Sequence, residues 1–138
     1  MGTRLLGKEA QFGPGSADVI LVVEDDPAVS RFLELLLIDR GYRVLRAANS
    51  VEALVALTAP RSELPQAVIL DLGLPLESGV SVLSFLRKVV GSGLPVVVLT
   101  GRQDPESESA VRALGVSAFL HKPADAEQVL RAVAAALR

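Results

Sequence analysis

The sequence predicts a single α/β domain in which five parallel strands form one doubly wound sheet with helices on both faces, a (βα)₅ chain. From residue 18 onward, short runs rich in Val, Ile and Leu alternate with longer segments whose apolar residues recur three and four positions apart. Several of the short runs are continuously apolar, which is typical of strands that are buried on both faces. Because strand–helix–strand crossovers are right-handed, five such units build a parallel sheet, for which we expect the strand order 2-1-3-4-5.

The five predicted strands occupy residues 19–23, 44–47, 67–70, 96–99 and 118–120. Between them, apolar stripes predict helices that pack on the sheet. In the first helix the stripe consists of Val29, Phe32, Leu33, Leu36 and Leu37, and in the last it consists of Val129, Leu130, Val133 and Leu137.

Capping signals mark the ends of the predicted helices. Two starts have an N-cap acid followed by proline, a third has the spacing of a capping box, and glycine stands where two helices should end. In chain order these signals are Asp26-Pro27, Gly41, Asn49 with Glu52, Asp104-Pro105 and Gly115.

The composition excludes several classes of function. A net charge of −2 without a basic stripe argues against a nucleic-acid surface, and the lack of cysteine excludes disulfides and thiolate metal sites. Arg31, Glu34 and Asp39 interrupt the richest apolar stretch, so it is too short to span a membrane. Arg4 and Lys8 are not followed by the apolar segment that a secretory signal peptide requires. We therefore expect a soluble, cytoplasmic protein without direct contact with nucleic acid or membrane.

The first 17 residues show no periodicity, and Gly13, Pro14 and Gly15 lie close together in them. We predict that residues 1–17 are a flexible leader, which can include vector-derived residues, and that residues 18–138 form the domain. Whether this domain works alone or within a larger protein stays open at this stage.

Polar residues follow the predicted strands at the edge of the sheet where ligands bind in such folds. They are Glu24, Asp25, Asp71, Thr100 and Lys122. Three carboxylates without a histidine or thiol partner suit a hard cation, Mg²⁺ above all, and Mg²⁺ commonly shares its site with phosphate oxygens. A central carboxylate such as Asp71 can serve as the nucleophile in phosphoryl transfer, with Lys122 and Thr100 holding the phosphoryl oxygens.

Four segments in order, "ILVVEDD", "VILDLGLPLESG", "VVVLTG" and "FLHKP", resemble the signature segments of bacterial response-regulator receiver domains, which have a CheY-like, flavodoxin-like fold. The resemblance implies that Asp71 is the phosphoacceptor for the phosphohistidine of a histidine kinase or histidine phosphotransfer protein. It implies a Mg²⁺ site made by Glu24, Asp25, Asp71 and the backbone carbonyl of Gly73, with Asp25 as a direct ligand. It also implies that Lys122 pairs with the phosphoryl group and precedes a cis peptide bond to proline.

The resemblance further implies a two-state switch and not a turnover enzyme. Thr100 and Phe119 would respond to phosphorylation and alter the surface of the fourth helix, fifth strand and fifth helix, through which a homodimer or an unknown downstream target could bind. Gly73 is smaller than the usual family residue and should leave the site open, while Arg102 could cover it or add positive charge.

Several alternative interpretations of these residues and of the function remain open. Asp26 is better explained as a helix cap than as a metal ligand. Phe119 could be an ordinary half-buried core residue, and His121 should face away from the site because it alternates with Lys122 along a strand. Two other functions also remain: a degenerate receiver acting as a phosphorylation-independent adaptor, and a Mg²⁺-dependent aspartyl-phosphate phosphatase. The phosphatase lacks support because Gly73 stands where a general acid would be needed.

Overall fold

The computed structural model describes residues 17–101 and 105–138. Its five strands are β1 (Val19–Val23), β2 (Arg43–Ala47), β3 (Ala67–Leu70), β4 (Val96–Thr100) and β5 (Ala118–His121). All four strand pairs are parallel, and the order is β2-β1-β3-β4-β5. The predicted fold class and strand order are therefore confirmed. Three strands are one residue longer than predicted, because the backbone pairing continues through the polar residues Arg43, Thr100 and His121.

Five helices connect and cover the strands. They are α1 (Pro27–Asp39), α2 (Ser50–Leu57), α3 (Gly79–Phe85), α4 (Pro105–Leu114) and α5 (Ala126–Ala136). A π-helical turn at Leu86–Val90 continues α3, and a short 3₁₀ turn at Arg61–Glu63 precedes β3. Among the described residues, none of these helices has the length and apolar character needed to cross a membrane.

Most of the predicted helix ends are found. The Asp26 carboxylate accepts the amide hydrogens of Ala28 at 2.9 Å and Val29 at 3.4 Å, which confirms it as the N-cap of α1. Gly41 and Gly115 have positive φ angles of 91° and 88° at the ends of their helices, a backbone conformation that favours glycine. Asp104 and Arg102 lie outside the described residues.

The predicted capping box at α2 is only half correct. Asn49 Oδ1 accepts the amide of Glu52 at 2.9 Å, as predicted. The Glu52 carboxylate, however, accepts the amide of Ala48 at 2.7 Å and not that of Asn49. The side chain therefore satisfies a backbone donor one residue earlier, and the turn from β2 into α2 is tied at two points.

The apolar core has two layers, one on each face of the sheet. Successive strand residues point to opposite faces, so Ile20 and Val22 pack under α1 and α5 while Leu21 and Val23 pack under the helices α2, α3 and α4. All four of these β1 side chains are at most 1% exposed. The predicted stripe of α1 is wrong at one position, since Phe32 is 47% exposed and lies at the rim of a groove described below. A sheet covered on both faces leaves only its edges for polar chemistry.

Arg87 joins the end of α3 to the end of α4. Its guanidinium donates to three backbone carbonyls, those of Leu114 at 3.1 Å, Ser92 at 2.8 Å and Gly115 at 2.9 Å. Two of these carbonyls belong to the C-terminal end of α4, where positive charge is favourable. Burial lowers the pKa of Arg87 from its ordinary value.

We expect Arg87→Ala to lower the free energy of unfolding by about 2 kcal/mol, because it leaves partly buried carbonyls without their charged donor. Urea denaturation followed by circular dichroism measures this effect. Arg131→Ala is the matched control, since Arg131 makes an exposed pair with Glu127 that is worth about 0.5 kcal/mol or less. Equal effects of the two substitutions would contradict a clamping role for Arg87.

Candidate functional site

The site lies at the edge of the sheet formed by the carboxyl ends of the strands. Backbone hydrogen bonds continue past the last strand residues and determine where each polar side chain begins. The amides of Glu24 and Asp71 donate to the carbonyls of Ala47 and Val23, each at 3.0 Å. The amide of Lys122 donates to the carbonyl of Thr100 at 2.8 Å. The five residues predicted from the strand ends therefore lie on neighbouring strands at one edge.

Three carboxylates of this edge form one cluster. Glu24, Asp25 and Asp71 each offer an oxygen atom, and these atoms lie within 4.8 Å of one another. Glu24 is 3% exposed and Asp71 is 6% exposed, whereas Asp25 faces solvent. Placing like charges together out of water is costly unless a cation compensates them. The donor set contains hard oxygen ligands alone and fits Mg²⁺.

Lys122 supplies positive charge to this cluster. Its Nζ atom lies 2.6 Å from Glu24 Oε1 and 3.3 Å from Asp71 Oδ2, so one ammonium group joins two carboxylates. The peptide bond from Lys122 to Pro123 is cis, as the resemblance implied. The sequence predicts that Lys122 pairs with the phosphoryl group and that Glu24 belongs to the metal site. The shorter contact with Glu24 was not predicted.

The surroundings of the pair shift both pKa values. Burial raises the pKa of Glu24 above its ordinary value, and hydrogen bonds from Lys122 and the Asp26 amide only partly oppose this. Burial acts to lower the pKa of Lys122, but the hydrogen bond to Glu24 and the charge of Asp71 outweigh it, so that pKa is raised. The lysine is therefore held in its cationic form beside Asp71.

The loop after β3 shapes the surroundings of Asp71. The Gly73 amide donates to Asp71 Oδ1 at 3.1 Å and orients the carboxylate. A Cβ atom on Gly73 would make an ordinary contact with Asp71 Oδ1 at 3.9 Å, so this side of the carboxylate has space around it. The expectation that Gly73 leaves the site open agrees with this geometry.

Gly79 closes the same loop and was missed as a functional position. Its amide donates to Leu72 O at 2.9 Å, and a Cβ atom there would lie 2.3 Å from Asp71 O and 2.6 Å from Leu72 Cα. The first turn of α3 therefore packs directly on the backbone of Asp71, and only glycine fits. Gly79 is the last residue of "LESG" in the sequence. The steric clash that excludes a larger residue there can be recognised only from the three-dimensional structure.

The predicted switch residues lie on β4 and β5. Thr100 is fully buried at the end of β4. The Phe119 ring is half-buried against the core, with the Arg112 guanidinium 5.4 Å from its centroid and the His121 ring at 5.3 Å. His121 is exposed and lies 3.8 Å from Glu108, away from the acidic cluster, as predicted. The half-buried position of Phe119 agrees with a core role, and its switch role stays a prediction.

An apolar groove of about 570 Å³ lies beside the site. Val29 and Phe32 of α1 form one wall, and Lys122, Pro123 and Ala124 form part of the other. Because Lys122 also contacts Asp71, the groove and the acidic cluster share a boundary.

Comparison with known proteins identifies the family. Residues 20–134 match the family model of the response regulator receiver domain. The chain belongs to this family. Among curated proteins, it is 36% identical over 120 residues to the transcriptional regulatory protein KdpE of Mycobacterium tuberculosis and 38% identical over 119 residues to the response regulator MprA of Mycobacterium ulcerans. The alignments cover 87% and 86% of this chain but 51% and 50% of those proteins, so the chain spans about half the length of the curated relatives it matches.

Solved structures agree with the receiver assignment. A CheY-like receiver domain protein from Methanospirillum hungatei superposes with a TM-score of 0.81 at 26% identity, over 88% of this chain and 94% of the other. The chemotaxis response regulator CheY4 of Vibrio cholerae gives 0.77 at 26% identity, over 88% and 99%. The chain is thus a receiver domain of two-component signalling with an acidic cluster that could hold a metal ion.

Proposed function

We propose that this receiver domain is a phosphoacceptor switch that takes a phosphoryl group from a phosphohistidine onto Asp71. The observation that carries the proposal is the environment of the Asp71 carboxylate. One oxygen is oriented by the Gly73 amide, the other faces the Lys122 ammonium at 3.3 Å, and two further acids lie beside it. A nucleophile, a cation for the transferred group and a metal-binding set are thereby assembled within one edge of the sheet.

The transfer needs little covalent chemistry from the protein. An Asp71 oxygen attacks phosphorus, the bond between phosphorus and the histidine nitrogen breaks, and its electron pair returns to the imidazole. Lys122 and the Thr100 hydroxyl would hold phosphoryl oxygens as their charge arrives. Glu24, Asp25, Asp71 and the Gly73 carbonyl would hold Mg²⁺, which when bound would neutralise negative charge on the transferred group.

A switch fits the site better than a turnover enzyme does. A phosphatase of this type needs a side chain near the nucleophile that first protonates the leaving group of the substrate and then accepts a proton from the water that hydrolyses the aspartyl phosphate. The position two residues after Asp71 is Gly73, which has no side chain to supply a proton. The aspartyl phosphate should therefore persist long enough to signal, which supports the switch over the phosphatase.

The proposed output is a change in the surface of α4, β5 and α5. Phosphorylation would draw Thr100 towards the phosphoryl oxygens, and Phe119 would follow on the adjacent strand. This surface would then bind a downstream target or a second copy of the chain. The name of KdpE describes that protein as a transcriptional regulator. For this chain, the target, a cytoplasmic location and the absence of direct nucleic-acid contact stay predictions.

The proposed donor is a histidine kinase or a histidine phosphotransfer protein. Such a donor must bring its histidine to Asp71 and cover the surrounding surface. The apolar groove at Phe32 adjoins Lys122 and is suited to receive an apolar helix face of that donor.

Incubation with acetyl phosphate, with Mg²⁺ or with excess EDTA, tests the proposed function by intact mass spectrometry. We expect one phosphoryl adduct that forms with Mg²⁺ and is lost with EDTA. A wild-type chain that never forms the adduct would favour the degenerate, phosphorylation-independent adaptor instead.

The two neighbouring acids at the start of α1 should differ sharply in Mg²⁺ binding. We expect Asp25→Asn to weaken Mg²⁺ binding about tenfold or more, because it removes a charged ligand from the cluster. Asp26→Asn is the matched control: it also removes one charge, but asparagine caps a helix as well as aspartate does. Isothermal titration with Mg²⁺ measures both, and equal weakening would mean that general charge, and not ligation by Asp25, determines the affinity.

A further inference from the structure

Leu76 has an unusual backbone conformation close to the phosphoacceptor. Its φ angle is 76°, and among residues 17–101 and 105–138 it is the one non-glycine residue with a positive φ. The Glu77 amide donates to the Pro75 carbonyl at 3.1 Å, so Leu76 is the central residue of a three-residue γ-turn. A leucine in this conformation is strained, whereas glycine adopts it readily because it has no Cβ atom.

The Leu76 side chain makes few contacts within the domain that would offset this strain. It is 73% exposed, while its loop neighbours Leu72 and Leu74 are buried. The loop itself is well anchored, because the Glu77 amide lies 3.0 Å from the hydroxyl oxygen of the buried Ser50 at the start of α2. A strained residue that presents a large apolar side chain to water is unfavourable for the isolated domain, and strained backbone conformations cluster at functional sites.

The position of Leu76 indicates what covers it. Both ends of its loop lie at Asp71, since the loop begins there and Gly79 packs against the Asp71 carbonyl. Leu76 is three residues from Gly79, so its Cα lies within about 11 Å of that contact. A protein interface of standard size buries about 800 Å² on each partner, equivalent to a disc of about 16 Å radius. Leu76 therefore lies within the radius that an interface of this size, centred on Asp71, would cover.

We propose that Leu76 is an apolar docking contact for the protein that carries the phosphohistidine, and that it sets the affinity for this donor without taking part in the chemistry. The inference rests on the proposed function. Burial by the donor gives the exposed leucine the apolar contacts that the isolated domain does not offer.

The test compares a protein donor with a small donor for the same variants. The protein donor is an autophosphorylated histidine kinase core, chosen from the host's kinases because it labels the wild-type chain, and the small donor is acetyl phosphate. We expect Leu76→Asn to raise the receiver concentration for half-maximal transfer from the kinase about tenfold, with the saturating rate unchanged. Its labelling by acetyl phosphate should equal that of wild type, because asparagine tolerates the positive φ and the Asp71 site is intact.

Two matched variants separate docking from general effects. Leu76→Met keeps the apolar contact and should transfer within twofold of wild type. Val89→Asn removes an equally exposed apolar side chain, at 70%, from the opposite end of the α3 segment and should also behave as wild type. Urea denaturation should show that Leu76→Asn is as stable as wild type, because the exposed side chain makes few contacts in the isolated domain.

The outcomes that overturn the inference differ from those that overturn the function. Half-maximal transfer within twofold of wild type for Leu76→Asn would exclude Leu76 as a docking contact. A parallel loss with acetyl phosphate would show that the loop acts on the chemistry instead. A wild-type chain labelled by acetyl phosphate but by none of the host's histidine kinases or histidine phosphotransfer proteins would also overturn the inference, whereas failure with acetyl phosphate would overturn the proposed function itself.

Discussion

Asp71→Asn is expected to abolish the phosphoryl adduct formed with acetyl phosphate and Mg²⁺. An amide oxygen is a poor nucleophile, and loss of a nucleophile in other enzymes lowers rates on the order of 10⁴-fold or more. The substitution keeps the shape of the side chain, and Oδ1 can still accept the Gly73 amide. Intact mass after an incubation that labels wild type completely should therefore show only the unmodified chain.

The variant should remain folded, which makes its loss of labelling specific. Asp71 is one of the charges that raise the pKa of Glu24, and removing it relieves repulsion inside the cluster. Lys122 keeps its closer partner, Glu24, at 2.6 Å. Circular dichroism and urea denaturation provide the check on folding. A full adduct on folded Asp71→Asn would mean that another residue accepts the phosphoryl group.

Gly79→Ala should produce the largest loss of stability of any substitution considered, about 3 kcal/mol or more. The added Cβ would lie 2.3 Å from the Asp71 carbonyl oxygen, and both atoms belong to the backbone or its direct extension, so neither can rotate away. Helix propensity alone predicts the opposite sign, since alanine in a helix is favoured over glycine by about 1 kcal/mol. The sign of the change in urea denaturation therefore decides between the two effects.

Gly73→Ala is the matched control in the same loop. A Cβ atom there would make an ordinary contact of 3.9 Å with Asp71 Oδ1. We expect its free energy of unfolding to stay within about 0.5 kcal/mol of wild type. If Gly79→Ala were as stable as Gly73→Ala, the close packing of α3 on Asp71 would be wrong.

Much of the fold could be predicted because its determinants are local. Apolar runs, proline and the capping acids specify which segments become strands and helices, and the right-handed crossover rule then allows few topologies. The errors were also local. The apolar pattern predicts strand ends one residue before Thr100 and His121, whereas the strands continue through both residues because pairing depends on the backbone and not on side-chain polarity. The capping box is incomplete at Glu52, because the geometry of the turn decides which backbone amide donates to its carboxylate.

The residues of the candidate site could be predicted from the sequence, but the ion pairs between them could not. Parallel strands bring their carboxyl ends to one edge, so Glu24, Asp71 and Lys122 had to be neighbours there. Which carboxylate pairs more closely with Lys122 depends on burial and on side-chain positions to within about 1 Å. In the structure the ammonium group lies closer to Glu24 than to Asp71. Asp26 was separated from the other two acids correctly, because a helix cap is a local feature.

The sequence by itself determined the strand–helix alternation and the set of polar residues at the carboxyl ends of the strands, and it limited the strand order to a few topologies, because these follow from periodicity, capping and chain connectivity. Only the tertiary structure decided the close packing of Gly79, the contacts of Arg87 and the backbone conformation of Leu76. Each of these depends on contacts between distant segments or on a backbone angle, and residue type alone carries no information about either. The residues of the site could thus be predicted from the sequence, while their packing depends on how distant segments meet.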